Sequence, residues 1–126
     1  MTNILKRVFR FLAAAIVATF AIGSLSSCAV APMDMSAYSA VIDVRTADEW
    51  ATGHLDGAVN IDIQGPDFAS KIDALDHSAN YVVYCRSGNR AGQAIKIMEA
   101  AGFTGDLMNA GSVADASAMT GMEVVQ

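Results

Sequence analysis

The chain has 126 residues, 13 acidic and eight basic side chains, and a formal net charge of −5. This length suits one small domain with a single core. The acidic balance excludes a protein that binds nucleic acid or anionic lipid through a basic surface, because like charges repel.

The first 27 residues have the layout of a secretory signal peptide. Three basic residues lie within the first ten positions, residues 11–23 are uncharged and mostly apolar, and small residues follow them. The apolar stretch is shorter than the roughly 20 residues that a membrane-spanning helix needs. We therefore predict an export signal over residues 1–27 and no transmembrane anchor.

The sequence LSSC at residues 25–28 resembles a bacterial lipobox. This resemblance predicts that Cys28 becomes the lipid-modified first residue of the mature protein, which would then lie on the periplasmic face of a bacterial membrane. Ala29, in place of an aspartate, points to the outer membrane. A cut after Ala31 is the alternative, and it would give a soluble periplasmic protein.

Cys85 lies in unusually basic surroundings for so acidic a chain. Beyond the predicted signal, five basic residues stand against all 13 acidic ones, and two of the five, Arg86 and Arg90, closely follow Cys85. This local positive charge suggests a site that holds an anion. If Cys28 is lipidated, Cys85 is the only free thiol of the mature chain and a candidate reactive group. A disulfide between Cys28 and Cys85 is the alternative.

Short apolar runs and helical patterns alternate after a tether predicted over residues 28–40, and they define one domain over residues 41–126. Thr46 and Glu49 have the spacing of a capping box, which predicts a brief helix that ends at Gly53. The predicted strands cover residues 41–44, 58–61, 81–84 and 106–109, and the longer helices cover residues 66–75 and 91–101.

This alternation predicts an α/β domain, with a small, mostly parallel sheet flanked by helices on both sides. Ligands of such folds bind at the carboxyl ends of the strands. Cys85 directly follows residues 81–84, whose uncharged β-branched and aromatic side chains indicate a strand buried on both faces. The cysteine is therefore expected at the ligand-binding edge of the sheet.

Residues 85–90 have the composition of an anion-binding loop. A loop between a strand end and a helix start exposes unpaired backbone amides, and Gly88 permits a conformation in which several of them point inward. The same field favours the thiolate of Cys85, which is the nucleophilic form. Arg86 and Arg90 can donate hydrogen bonds to an oxyanion. The loop therefore predicts a nucleophilic sulfur that attacks a substrate with a negatively charged oxyanion group.

The loop sequence CRSGNR at residues 85–90 resembles the active-site loop of rhodanese-type sulfurtransferases. Residues 43–45, 49–50 and 53–60 resemble the other marker stretch of that family, and residues 109–111 add to the resemblance. The likeness covers about residues 41–125. The small exported form is similar to the single-domain periplasmic members of the family.

This resemblance implies a rhodanese-like three-layer domain and a double displacement. Cys85 would take a sulfane sulfur from thiosulfate or a similar small anionic donor as a persulfide, and would then pass it to cyanide or a thiol acceptor. No metal or organic cofactor is implied, and a monomer is expected. The implied substrate-binding residues are Arg86, Ser87, Gly88, Asn89 and Arg90, and the implied loop-supporting residues are Asp43 and Arg45.

Two other functions stay open. A cysteine-dependent phosphatase or arsenate reductase is less favoured, because only four residues separate Cys85 from Arg90 and the related phosphatases have a longer loop. A non-catalytic rhodanese-fold binding module in envelope stress is the second alternative, although inactive members usually lose the cysteine. Residues 111–113 depart from the family pattern, and the segment after them lacks the usual tryptophan, which leaves the acceptor preference open.

The remaining aromatic and histidine residues indicate structural roles. His54 lies in a glycine-rich turn and is interpreted as structural, and His77 lies in a polar turn and is predicted to be solvated. Trp50 is predicted to lie in the core. Two isolated histidines without a thiol partner do not form a metal site.

Overall fold

The computed structural model describes residues 31–126, which form one compact unit. A short 3-10 helix, Met35–Ala37, precedes the sheet. The strands are β1 Ala40–Asp43, β2 His54–Leu55, β3 Val59–Asn60, β4 Tyr81–Tyr84, β5 Leu107–Asn109 and β6 Val124–Val125. The helices are α1 Ala47–Thr52, α2 Phe68–Asp73, α3 Asn89–Ala100 and α4 Val113–Thr120.

Four of the strands form a parallel sheet in the order β3-β1-β4-β5. In its centre, Ile42 of β1 lies opposite Val83 of β4 and Asp43 opposite Tyr84. Strands β2 and β6 form a separate antiparallel pair. Because β1 and β4 occupy the middle of the sheet, the residues that directly follow them lie side by side at its carboxyl edge.

The sheet is covered on both faces, which confirms the predicted α/β fold. Alternate side chains of β1 and β4 point to opposite faces, so each strand contributes to two hydrophobic clusters. The larger cluster joins the sheet to α2 and α3, and it includes Phe68, Ile72, Ala94, Met98 and Cys85. The smaller cluster joins the other face to α4 and β2 through Tyr84, Leu55 and Ala116.

Helix α4 and strand β6 were not predicted. The end of the chain carries few large apolar residues with helical spacing, and α4 buries only Ala116 and Thr120. Its sequence signal is the capping box of Ser112 and Asp115, in which each side chain accepts a hydrogen bond from the other residue's backbone amide. Strand β6 has two residues and becomes a strand only by pairing with β2.

Three predicted elements are shorter in the structure than in the sequence prediction, and one of them is the strand predicted over residues 106–109, which covers Leu107–Asn109. The helix predicted over residues 66–75 covers only Phe68–Asp73, and the strand predicted over residues 58–61 pairs with β1 only at Val59–Asn60. Pro66 lies before this helix, and Asp67 is its N-terminal cap. Composition alone did not reveal at which residues the backbone hydrogen bonds of these elements begin and end.

The segment predicted as a tether does not run free of the domain over its described part. Met33, Met35 and Tyr38 pack against the smaller cluster. The amide of Met33 donates to the carbonyl oxygen of Met119 at 2.8 Å, and the Tyr38 hydroxyl donates to Asp106 at 2.8 Å. From Met33 to Tyr38 the segment is therefore packed on the domain, because its spaced apolar side chains contact the smaller cluster.

The predicted export signal and Cys28 lie outside the described residues. Within residues 31–126, no helix has both the length and the apolar character needed to cross a membrane.

Candidate active site

Cys85 occupies the edge of the sheet where the sequence placed it. It directly follows β4, and its amide donates to the carbonyl oxygen of Gly111 at 3.0 Å. The residue is fully buried and belongs to the larger hydrophobic cluster. The sulfur is therefore fixed by packing on one side and by the following loop on the other.

Backbone amides of the loop surround the sulfur. The Gly88 amide donates to Sγ of Cys85 at 2.9 Å. Burial by itself raises the pKa of the thiol, but hydrogen bonds from backbone amides outweigh it, and the pKa of Cys85 lies below its usual value. The amides responsible belong to Ala91, Ser87, Gly88 and Arg90. This arrangement favours the thiolate, which is the nucleophile.

Gly88 gives the loop its shape. Its φ is +94°, in the region that L-residues rarely adopt, and it caps the N-terminus of α3. A Cβ atom at this position would lie 3.2 Å from the Cα of Gly111. A side chain is therefore disfavoured by the backbone conformation, as the sequence predicted, and also by the lack of space, which the sequence did not predict.

Asn109 ties the loop to the neighbouring strand, a role that the sequence analysis did not assign. Its side-chain amide donates to the carbonyl oxygen of Gly88 at 2.9 Å, and its Oδ1 accepts from the Gly111 amide at 3.0 Å. The available signal was a polar residue at the end of a strand, followed closely by a glycine. Asn109 therefore fixes the turn that holds Gly88 against the sulfur.

Arg90, one of the two loop arginines predicted to bind the substrate, forms an ion pair with Glu49 in the structure. Its two terminal nitrogens each donate to a carboxylate oxygen of Glu49 at 2.8 Å. This contact with Arg90 lowers the pKa of Glu49 to about 2. It also raises the pKa of Arg90. The pair joins α1 to the start of α3, so Arg90 holds the loop in place.

Replacing Glu49 by glutamine should lower the free energy of unfolding at pH 7 by about 1 kcal/mol, since 30% of the Glu49 side chain is exposed and solvent screens the pair. A carboxylate with a lowered pKa stabilises the fold above its unfolded value of 4.5, and this contribution is lost as the pH falls toward 2. Urea denaturation at pH 7, 5 and 3 should therefore show the difference between wild type and Glu49→Gln shrinking with acidity.

The control for this series is Glu99→Gln, because Glu99 is exposed on α3 and forms no ion pair within residues 31–126. It should behave as wild type at each pH. An equal destabilisation by Glu49→Gln at pH 7 and pH 3 would contradict the role of the ion pair.

Asp43 and Arg45, which were predicted to support the loop, form a buried ion pair at 2.7 Å. Burial lowers the pKa of Arg45, but hydrogen bonds and the charge of Asp43 raise it by more. Arg45 also donates to the carbonyl oxygen of Gly53. The pair therefore braces the segment from β1 to β2, and the guanidinium carbon of Arg45 lies 5.9 Å from the ring of Tyr84, the residue before Cys85.

The other loop residues and the histidines occupy different positions. Ser87 and Asn89 are exposed beside Gly88.

The two histidines stack on aromatic rings. His54 stacks on Trp50 at 3.5 Å, which agrees with a structural role. Trp50, predicted to lie in the core, is half-buried and belongs to neither core cluster. His77, predicted to be solvated, stacks on the ring of Phe103 at 4.2 Å. In the described part of the chain, no three His, Cys, Asp or Glu side chains come together as metal ligands.

A cleft of about 470 Å³ lies beside the cysteine loop, within the size range of small-molecule sites. Cys85 does not line it, but its neighbour Arg86 does. The lining residues are Arg45, Asp48, Glu49, Thr52 and Arg86. Arg86 is therefore the residue through which the cysteine loop borders the cleft.

A parallel α/β domain thus presents a thiol in a cradle of amides at the carboxyl edge of its sheet, an arrangement suited to a nucleophilic cysteine. The sequence matches the family of the rhodanese-like domain over residues 28–115. The chain belongs to this family of sulfurtransferases.

Two curated relatives are thiosulfate sulfurtransferases. The chain is 35% identical over 74 residues to thiosulfate sulfurtransferase 16 of Arabidopsis thaliana, a chloroplast protein, and this match covers 51% of the chain and 62% of that protein. It is 32% identical over 74 residues to thiosulfate sulfurtransferase PspE of Escherichia coli K12, covering 59% of the chain and 70% of PspE. The match thus spans less than two thirds of the plant relative.

Solved structures have the same fold. A rhodanese from E. coli, described with bound anions, is 30% identical with a TM-score of 0.56, covering 69% of this chain and 96% of that one. The rhodanese-like domain of the Alr3790 protein from Anabaena sp. is 25% identical with a TM-score of 0.60, covering 69% and 98% of the two chains.

Proposed function

We propose that this protein is a thiosulfate sulfurtransferase that carries a sulfane sulfur on Cys85 and passes it to cyanide or a thiol. The observation that supports the proposal most is the short contact between the Gly88 amide and Sγ of Cys85, at 2.9 Å. An amide in this position stabilises the Cys85 thiolate, which attacks the donor in the first step and is restored as the leaving group in the second.

In the first step, the Cys85 thiolate attacks the outer sulfur of thiosulfate. A bond forms between Sγ and that sulfur, the sulfur–sulfur bond of thiosulfate breaks, and sulfite leaves with the electron pair. Arg86 is exposed beside Cys85, and within the described residues it forms no ion pair, so it can donate to the sulfonate oxygens.

In the second step, cyanide or a thiolate attacks the outer sulfur of the persulfide. The bond between the two sulfurs breaks, and Cys85 leaves as the thiolate. The same amides stabilise this leaving group, because they lower the pKa of Cys85. No external oxidant or reductant is needed, since the sulfane sulfur is transferred without a net change in the protein.

The loop length favours sulfur over phosphate chemistry. Four residues separate Cys85 from Arg90, and Arg90 is held by Glu49 instead of closing around a ligand. A phosphatase of this type needs its loop arginine on the phosphate oxygens. An aryl phosphate should therefore not be turned over.

The test of this function is mass spectrometry of the protein after incubation with thiosulfate. We expect a mass gain of one sulfur atom, located on the peptide that contains Cys85 and removed by cyanide with formation of thiocyanate. If no adduct and no thiocyanate form, the domain is instead a non-catalytic binding module. Cysteine-dependent hydrolysis of an aryl phosphate would favour the phosphatase.

We further propose that the protein is exported and anchored through lipid on Cys28, on the basis of the lipobox-like sequence at residues 25–28. In bacterial cells, wild type should fractionate with the membrane, and Cys28→Ala should appear in the soluble periplasmic fraction. An unchanged distribution of Cys28→Ala would contradict the anchor.

A further inference from the structure

The cleft beside the cysteine loop is not the purely basic site that the sequence suggested. Two of its lining side chains are negative and two are positive. The negative side chains are Asp48 and Glu49, and the positive ones are Arg45 and Arg86. Together they carry no net charge, so the cleft offers a doubly negative ligand no general attraction.

The four charges are not equally available. Arg45 is paired with Asp43, and Glu49 is paired with Arg90, so both are already neutralised by a close partner. Asp48 and Arg86 are exposed, and within residues 31–126 neither forms an ion pair or a side-chain hydrogen bond. The cleft therefore presents one available anion and one available cation to whatever enters it.

A ligand with charges of both signs matches this arrangement best. Asp48 attracts an ammonium group and Arg86 attracts a carboxylate, whereas Asp48 repels a purely anionic ligand. For charges that solvent reaches, each contact changes affinity by a factor of about five. In the second step of the reaction, this discrimination separates acceptors by the charges that they bring into the cleft.

We propose that Asp48 is a specificity-determining residue that selects acceptor thiols carrying an ammonium group, with Arg86 holding the carboxylate when the acceptor is an amino-acid thiol. The inference rests on the proposed sulfurtransferase function. The thiolate of such an acceptor attacks the outer sulfur of the Cys85 persulfide, the bond to Sγ breaks, and the acceptor leaves as a persulfide while Cys85 regains its thiolate.

The experiment isolates the acceptor step. The protein is loaded with thiosulfate, freed of excess donor, and discharged in a single turnover by cysteamine, 2-mercaptoethanol or 3-mercaptopropionate. These thiols carry an ammonium group, no charge and a carboxylate, respectively. Dividing each wild-type rate by the rate of Asp48→Asn cancels the intrinsic reactivity of the thiol.

We expect Asp48→Asn to slow the discharge of the persulfide by cysteamine about fivefold. The rate with 2-mercaptoethanol should stay within about twofold of the wild-type rate, and the rate with 3-mercaptopropionate should rise about threefold. The matched control is Asp67→Asn, because Asp67 is an exposed acid before α2 and does not line the cleft. It should leave all three rates unchanged. A second variant, Arg86→Gln, should slow the discharge of the persulfide by cysteine more than the discharge by cysteamine, since these two thiols differ by the carboxylate.

The outcomes separate this inference from the function on which it rests. If no persulfide forms on Cys85, the proposed function fails. If the persulfide forms and is discharged, but Asp48→Asn changes the three rates equally, the function stands and the role of Asp48 is wrong. The same conclusion follows if Asp67→Asn shifts the ratios as much as Asp48→Asn, because the effect would then be one of overall charge.

Discussion

Replacing Cys85 by serine should reduce the transfer of sulfur from thiosulfate to cyanide by a factor of at least about 10³. The hydroxyl of serine is a far weaker nucleophile at neutral pH, and it forms no persulfide. Neither Arg86 nor the amide cradle can replace the missing sulfur, because they only stabilise charge. Thiocyanate formation measures turnover, and mass spectrometry should show no sulfur adduct on the variant.

Two controls belong to this experiment. Cys85 is fully buried, so a hydroxyl at this position also affects stability, and Cys85→Ala provides an apolar variant with the same expected loss. In wild type, alkylation by iodoacetamide should follow a pH profile with its midpoint below that of an ordinary cysteine thiol, since hydrogen bonds from backbone amides lower the pKa of Cys85. Substantial turnover by Cys85→Ala would exclude the persulfide mechanism.

Replacing Gly88 by alanine should reduce turnover at least about tenfold and lower the free energy of unfolding by about 1–2 kcal/mol. At a φ of +94° an L-residue is strained, and the new Cβ would lie 3.2 Å from the Cα of Gly111. Relief of this crowding moves the Gly88 amide away from Sγ of Cys85. The pKa of the thiol should therefore rise, which the alkylation profile measures together with the loss of turnover.

Gly92→Ala is the matched control for this variant. Gly92 lies within α3, and a Cβ there would make an ordinary contact with Asn109 at 3.5 Å. Alanine in a helix interior stabilises it by roughly 0.5–1 kcal/mol relative to glycine. If Gly92→Ala lost as much activity as Gly88→Ala, general crowding near the loop would explain both results, and the amide of Gly88 would have no special role.

The position of the candidate nucleophile could be predicted because it depends on local patterns. An uncharged β-branched and aromatic run at residues 81–84 specifies a buried strand, and the glycine-containing loop after it specifies a turn into a helix. Cys85 therefore had to lie at the carboxyl edge of the sheet. The α/β order and the parallel sheet follow from the same short-range alternation of strands and helices.

The role of Arg90 could not be predicted in this way. Its partner Glu49 lies 41 positions earlier in the chain, and the two meet only because α1 and α3 both begin at the carboxyl edge of the sheet. The same holds for Asn109, which is 21 positions from Gly88. From the charges in the sequence, both Arg86 and Arg90 were expected to be free. In the folded chain, Glu49 neutralises Arg90.

The position of the candidate nucleophile, the composition of its loop and the class of fold follow from the sequence alone, since each of these is encoded in neighbouring residues. Only the tertiary structure decided how the loop is held, which arginine stays free and which charges line the cleft. Those features depend on side chains that are distant along the chain and are brought together when the two faces of the sheet are packed.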